Sequence, residues 1–202
     1  YYYRGERRDA EVMAQVANET IAKASALMGT TLRFPVRIWA YASQRDFQIA
    51  LAHESVTHDP NVLGQAHEPD TFIMVVDRLS SPTALDTARH ELTHLVTANA
   101  LQGGPFKDLY PSWLNEGTYV YMQAHPNDVG YIDALEQAIR EDNLIPLRAL
   151  TSGTRARDIG LFYGESYALV KYLIEIYGPQ KFAQMIAEFK QNGDLDATFR
   201  KV

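Results

Sequence analysis

Residues 88–97 read ARHELTHLVT, and they hold two of the chain's six histidines four positions apart, with a glutamate directly after the first. On an α-helix, positions i and i+4 lie on one face, about 6 Å apart along the axis. His90 and His94 can therefore grip one ion. The pattern HExxH on a helix is a zinc-binding arrangement in which both histidines ligate and the glutamate, here Glu91, acts on water. The alternative is two ordinary histidines, exposed or satisfied in a core.

Working outward, the helix that carries this stretch is well bounded. Ser81 suits its N-cap and Pro82 its first position, and Gly103-Gly104 stops it. The apolar run TFIMVV (71–76) just before it reads as a strand, as does FPVRIWAY (34–41), with Val36 and Ile38 alternating and Trp39 and Tyr41 aromatic. Upstream, Val12, Val16, Ile21 and Leu27 fall near helical spacing over 6–28, and Gly29 follows as a stop. Ser43 caps a short helix to about Glu54, and 55–70 is turn-rich, with a short strand around Gly64. Downstream come helices over 111–126 (opened near Ser112, closed by Pro126), 129–142, 161–177 and 179–191, the last two split by Gly178-Pro179. Residues 146–158 read as a loop. Strands early and helices late predict an α+β fold. We expect a single catalytic domain over 1–202, with an N-terminal α/β lobe to about residue 104 and a helical C-terminal lobe from about 105.

Composition narrows the function. The chain has 202 residues, 46% hydrophobic and 22% charged, enough to bury a core without cross-links. Its formal net charge of −6, with no long run of one sign, argues against a nucleic-acid or anionic-membrane partner. There is no cysteine, so a metal would be held by His, Asp or Glu alone. No apolar run is long enough to span a membrane and no signal peptide is visible. The chain opens YYYRGERR without a methionine and closes DATFRKV, which we read as a piece of a longer protein. An extracytoplasmic location is favoured, the compartment itself being left open. Oligomeric state is not legible.

A catalytic zinc takes three protein ligands and keeps one position open. The third should come from an element packed across the first helix. PSWLNEGTYVY (111–121) supplies Glu116, since a turn and an antiparallel helix would return it to the histidines. Its other reading is a first-turn surface carboxylate favoured by the helix dipole.

HELTH followed by WLNEG resembles the gluzincins, metallopeptidases whose zinc is held by the two histidines of HExxH and a downstream glutamate. The order FPVRIWAY, GQA, TFIMVV, HELTH, PSWLNEGTYVYMQ, FYGESYALVKYLIEIYG is similar to the small bacterial peptidase MA-like domains, over about residues 10–190. The resemblance implies a zincin-like fold: a small twisted N-terminal sheet, an active-site helix and a mainly helical C-terminal lobe. It implies Zn2+ on His90, His94 and Glu116, Glu91 as general base, and a peptide or protein as substrate. Aminopeptidase-like gluzincins also carry an oxyanion-donating tyrosine in Tyr-x-Lys-Gly-x-Ala-Leu. FYGESYALV (162–170) is similar and implies Tyr163, with Tyr167 one turn later as the competitor.

The chain departs from these patterns. Its spacing to the third ligand is longer than in the aminopeptidases. Val120 stands where thermolysin-like enzymes place a histidine-orienting aspartate. Lys-Gly of the tyrosine motif is Glu165-Ser166. Asp86, one turn before His90, is a candidate orienting partner, and a solvated first-turn charge is its other reading. Residues 62–68 (VLGQAHE) are candidates for the sheet edge on which gluzincins hold substrate by strand addition. Glu68, near where aminopeptidases grip a free amine, reads as a loop charge. His53, His58, His67 and His125 read as surface histidines, His67 being the one nearest that edge. Two functions fit: a zinc-dependent peptidase, and a catalytically silent or latent zincin-like binding or regulatory module.

Overall fold

The computed structural model describes residues 7–52, 62–76, 79–126, 130–151 and 158–202. Helix α1 (Arg7–Met28) comes first, then strand β1 (Arg37–Tyr41), helix α2 (Gln44–Ala52), and strands β2 (Gly64–His67) and β3 (Thr71–Val75). Helix α3 (Pro82–Leu101), a 3-10 turn (Lys107–Leu109), α4 (Ser112–Met122), α5 (Tyr131–Arg140), α6 (Leu147–Thr151), α7 (Ile159–Tyr177), α8 (Pro179–Asn192) and α9 (Leu195–Lys201) complete the chain. The fold is mostly helical with a small mixed sheet near the N-terminus, an α+β arrangement as the sequence predicts.

The sheet order is β1-β3-β2, with β1 parallel and β2 antiparallel to β3. After Thr71, β3 is continuously apolar because it is central and covered on both faces. Phe72 and Met74 pack with Met13 and Ala17 of α1 and with Ala84, Ala88, Leu92 and Leu95 of α3. Ile73 turns the other way onto Phe47 and Leu51 of α2. β1 starts at Arg37, later than the sequence suggests, because Pro35 has no N–H to give a ladder and the first bond is Arg37 N–H to Asp70 O, at 2.8 Å. As an edge strand, β1 leaves Trp39 56% exposed.

Ser81 caps α3 as expected, its hydroxyl accepting from Ala84 N at 3.2 Å, with Pro82 opening the helix. α1 packs along α3, but its buried stripe is Met13, Val16, Ala17, Thr20, Ala24 and Leu27, leaving Val12 and Ile21 only partly buried. The small residues on both helices allow the close approach.

The second core joins α4, α7 and α8, with Trp113, Leu114, Phe162, Val170, Phe182 and Ile186 at its centre. α4 and α7 touch through backbone. A Cβ on Gly117 would lie 2.2 Å from Ser166 O. The same holds between α7 and α5, where a Cβ on Gly164 would lie 2.2 Å from Tyr131 O. Only glycine fits either crossing.

Further downstream the helices also differ from the sequence reading. α4 stops at Met122, short of Pro126, because the Asp86 carboxylate takes the N–H groups of Ala124 and His125 (2.9 and 3.2 Å). Leu147–Thr151 is helical where a loop is expected, since Leu150 is buried in the second core. α9 is unanticipated: Asp194 caps it, accepting from Ala197 N at 2.9 Å, and it buries Thr198. His53, His58 and the first part of the turn-rich segment, to residue 61, fall outside the described residues.

Candidate metal centre

α3 places His90 and His94 one turn apart, their ring centroids 5.1 Å from each other. α4 crosses α3 and brings Glu116 alongside. One ligand atom from each of His90, His94 and Glu116 lies within 4.8 Å of the others. His90 Nε2 and Glu116 Oε2 are 3.4 Å apart. Two ligands bound at about 2.0–2.1 Å to one tetrahedral ion stand about 3.4 Å apart, so the pair is already at that separation. Glu116 Oε2 is buried with no hydrogen bond of its own, a costly state for a carboxylate oxygen that an ion would relieve. The donor set therefore fits a metal ion.

The charges around this cluster follow from burial and proximity. Burial disfavours a charged His94, and the neighbouring His90 adds to that, lowering its pKa to about 4. His94 is thus an unprotonated donor at neutral pH. Burial also works against a charged His90, but Glu116 and Glu91 outweigh it and hold its pKa above the usual imidazole range. Burial would raise the Glu116 carboxyl. The His90 contact and the donated Tyr163 hydroxyl overcome this and keep it below the ordinary carboxylate range.

Glu91 faces the sheet instead of joining the three-residue cluster. Its carboxylate accepts the Ala66 N–H of β2, and burial holds its pKa above the ordinary value despite His90 and that amide. Strand β2 lies directly on α3: a Cβ on Gly64 would be 2.9 Å from Thr87 Cγ2 and 3.3 Å from Glu91 Cγ. Leu63 O accepts from Val75 N at 2.8 Å. In an antiparallel pair the alternation then turns Gly64 and Ala66 away from β3, toward Glu91.

Above the cluster stand three tyrosines. Tyr119, three residues after Glu116, packs its ring 3.8 Å from that of His94. Tyr163 on α7 has its ring 6.3 Å from His90 and its hydroxyl on Glu116. Tyr131, at the start of α5, stacks on Tyr163 at 5.0 Å and 27°. Tyr167 lies one turn further along α7, beside Lys171.

A buried HExxH helix, with a glutamate returned to it by a second helix beneath a small mixed sheet, is joined by a match over nearly the whole chain. The sequence profile of the peptidase MA superfamily matches residues 16–202. This chain belongs to the peptidase MA superfamily. Comparisons with curated proteins and with solved structures found no match to it.

Other residues singled out in the sequence take different places in this superfamily member. Asp86 does not reach His90; it holds Arg89, Ala124, His125 N and His125 Nδ1. Gln123 meets His90 instead, Nε2 lying 3.2 Å from His90 Nδ1. Seven residues after Glu116, it is two helical turns along the same face, a spacing that could have pointed to it. Glu165 accepts from Ile145 N at 2.7 Å, tying the segment before α6 to α7. Glu68 is exposed, 3.7 Å from Lys107 Nζ. With Asp108, Asn99 and Gln102 these two line a cavity of about 300 Å³, which continues along α3 to His94 and Tyr119.

The depressed His94 pKa has a consequence for the metal-free chain. An unfolded His94 takes a proton near 6.5, a folded one only near 4. Stability present above 6.5 is therefore lost as pH falls, with the loss complete below about 4 and amounting to about 3 kcal/mol. His90, with a raised pKa, acts oppositely, but its contribution is fully present by 6.5. Glu91, also raised, opposes the loss as it protonates. Urea melts of metal-free wild type and His94→Gln between pH 7 and 4 isolate the effect: wild type should lose about 3 kcal/mol relative to the variant. Parallel curves would refute it.

Proposed function

We propose that this protein is a zinc-dependent metallopeptidase acting as one catalytic domain, with His90, His94 and Glu116 as the metal ligands. The observation that carries the reading is the convergence of those three donors beside a buried carboxylate, Glu91, that is not one of them. Two imidazoles and one carboxylate suit zinc and leave a position open. When bound, zinc lowers the pKa of water toward 7 and polarises a carbonyl.

The chain's own residues supply the rest. Glu91, its pKa raised by burial, takes the proton from the attacking water and delivers it to the departing amine. The Tyr163 hydroxyl, held beside Glu116 by the Tyr131 stack, donates to the oxygen that gains charge as water adds to the carbonyl. The Gly64 backbone and the Ala66 carbonyl, the Ala66 N–H being taken by Glu91, turn toward the same space, so an extended peptide can lie along β2 by strand addition. That contact is indifferent to side chains and suits a peptide or protein substrate.

The test is to quantify zinc in purified protein and incubate it with a mixed peptide library read by mass spectrometry. About one equivalent of zinc with chelator-sensitive cleavage is expected. Zinc without cleavage would favour a silent binding module, and no zinc would end the metal reading. In the same assay Tyr163→Phe should keep its zinc and lose kcat by about 100-fold with little change in KM. An unchanged kcat would return the role to Tyr167 or to no tyrosine.

A further inference from the structure

We propose that Gln123 is the positioning residue of His90. This rests on the metal reading above and deepens it. A histidine that ligates through Nε2, the atom facing Glu116, carries its proton on Nδ1 and needs an acceptor there. The group at that nitrogen is the Gln123 side-chain amide, 3.2 Å away. Amide nitrogen and oxygen exchange places by a half-turn about the last side-chain bond, with no other atom moving. With zinc bound, the Gln123 carbonyl oxygen therefore faces Nδ1–H and accepts it.

The approach of Gln123 is built by Asp86. Residues 123–125 leave the helix because the Asp86 carboxylate takes Ala124 N, His125 N and His125 Nδ1 at 2.9, 3.2 and 3.0 Å. Asp86 sits one turn before His90 on α3 and is itself held by Arg89 at 2.7 Å. The clamp thus anchors the end of α4 to the same helix that carries His90, and the first side chain past α4 is Gln123. The α4 residue four after Glu116 is Val120, fully buried, whose side chain has no atom that can accept a hydrogen bond. A neutral amide fixes the tautomer as a carboxylate would, but adds no negative charge beside Glu116 and Glu91.

Zinc affinity measured by competition with a chelating dye tests this in wild type, Gln123→Met and Gln123→Glu, with circular dichroism of each metal-free chain to verify folding. Methionine matches glutamine in length and cannot accept the bond. Gln123→Met should bind zinc about 10–100-fold more weakly, and Gln123→Glu should bind within a few-fold of wild type or tighter. Gln123→Met within two-fold of wild type overturns the inference while leaving the metal reading standing. A wild type that binds no zinc overturns both. Should Gln123→Met not fold, long-range 1H–15N spectra of zinc-loaded wild type decide: a protonated, exchange-protected His90 Nδ1 supports the assignment, and an unprotonated or freely exchanging one overturns it.

Discussion

Glu91→Gln is expected to keep about one equivalent of zinc and to lose peptide cleavage by about 1000-fold. The two carboxamide and carboxylate side chains have nearly the same shape, so the ligand cluster of His90, His94 and Glu116 should be undisturbed. What the substitution removes is the ability to take a proton. Glu91 is suited to that task by its surroundings: burial against β2 raises its pKa, and the Ala66 N–H holds it in place. A carboxylate whose pKa is raised by burial holds a transferred proton more readily than an exposed one. Stability should not fall, since a buried ionisable group is replaced by a neutral one. Metal content by mass spectrometry and cleavage of the same peptide library check the prediction. Loss of zinc in the variant would make Glu91 a ligand, and retained turnover would take the proton-transfer role from it.

Gly117→Ala should be the most damaging single methyl in the site. The added carbon would lie 2.2 Å from Ser166 O, 2.5 Å from Ser166 C and 2.9 Å from Val170 Cγ2. The first two are backbone atoms of α7, so no rotamer change relieves the contact and the two helices must part. Overpacking a core costs about 1–3 kcal/mol where side chains can yield. Here we expect at least about 3 kcal/mol, read from urea melts of the metal-free protein. The displacement also falls on function, because Gly117 follows Glu116 and Ser166 is three residues after Tyr163. Zinc affinity and cleavage should therefore drop beyond what the lost stability explains, measured under conditions where the variant is still folded. A melt within 1 kcal/mol of wild type would mean that the helix crossing yields easily and does not set the site. The asparagine-glutamate-glycine run is thus a packing device as well as the source of the proposed ligand: the glycine allows the contact that holds the glutamate's helix in place.

Much of this was available from residue order alone. The i, i+4 pair His90 and His94, the Ser81-Pro82 start of α3, the apolar β3 and the Gly178-Pro179 break between α7 and α8 are all local patterns. Helical period, capping and turn chemistry act over a few residues, so a sequence states them directly. Glu116 is less local: it follows from the need for a third donor on a returning helix. The placement of Tyr163 over Tyr167 beside the cluster needed the phase of α7 against α4, and that phase is set by glycines touching backbone.

Where local pattern was read and the fold differed, a distant partner was responsible. α4 carries apolar residues toward Pro126, yet it ends at Met122 because Asp86, on another helix, offers its carboxylate to the backbone beyond. By its spacing along α3, Asp86 reads either as a partner for His90 or as a solvated first-turn charge. Tertiary packing turned it to the 123–125 segment and brought Gln123 to His90 in its place. The sequence by itself determined the helix, the strand and the donors that one face can present. The tertiary structure decided which oxygen and nitrogen atoms meet across helices, because those pairings depend on how α3 and α4 pack against each other, which residue spacing along one helix does not set.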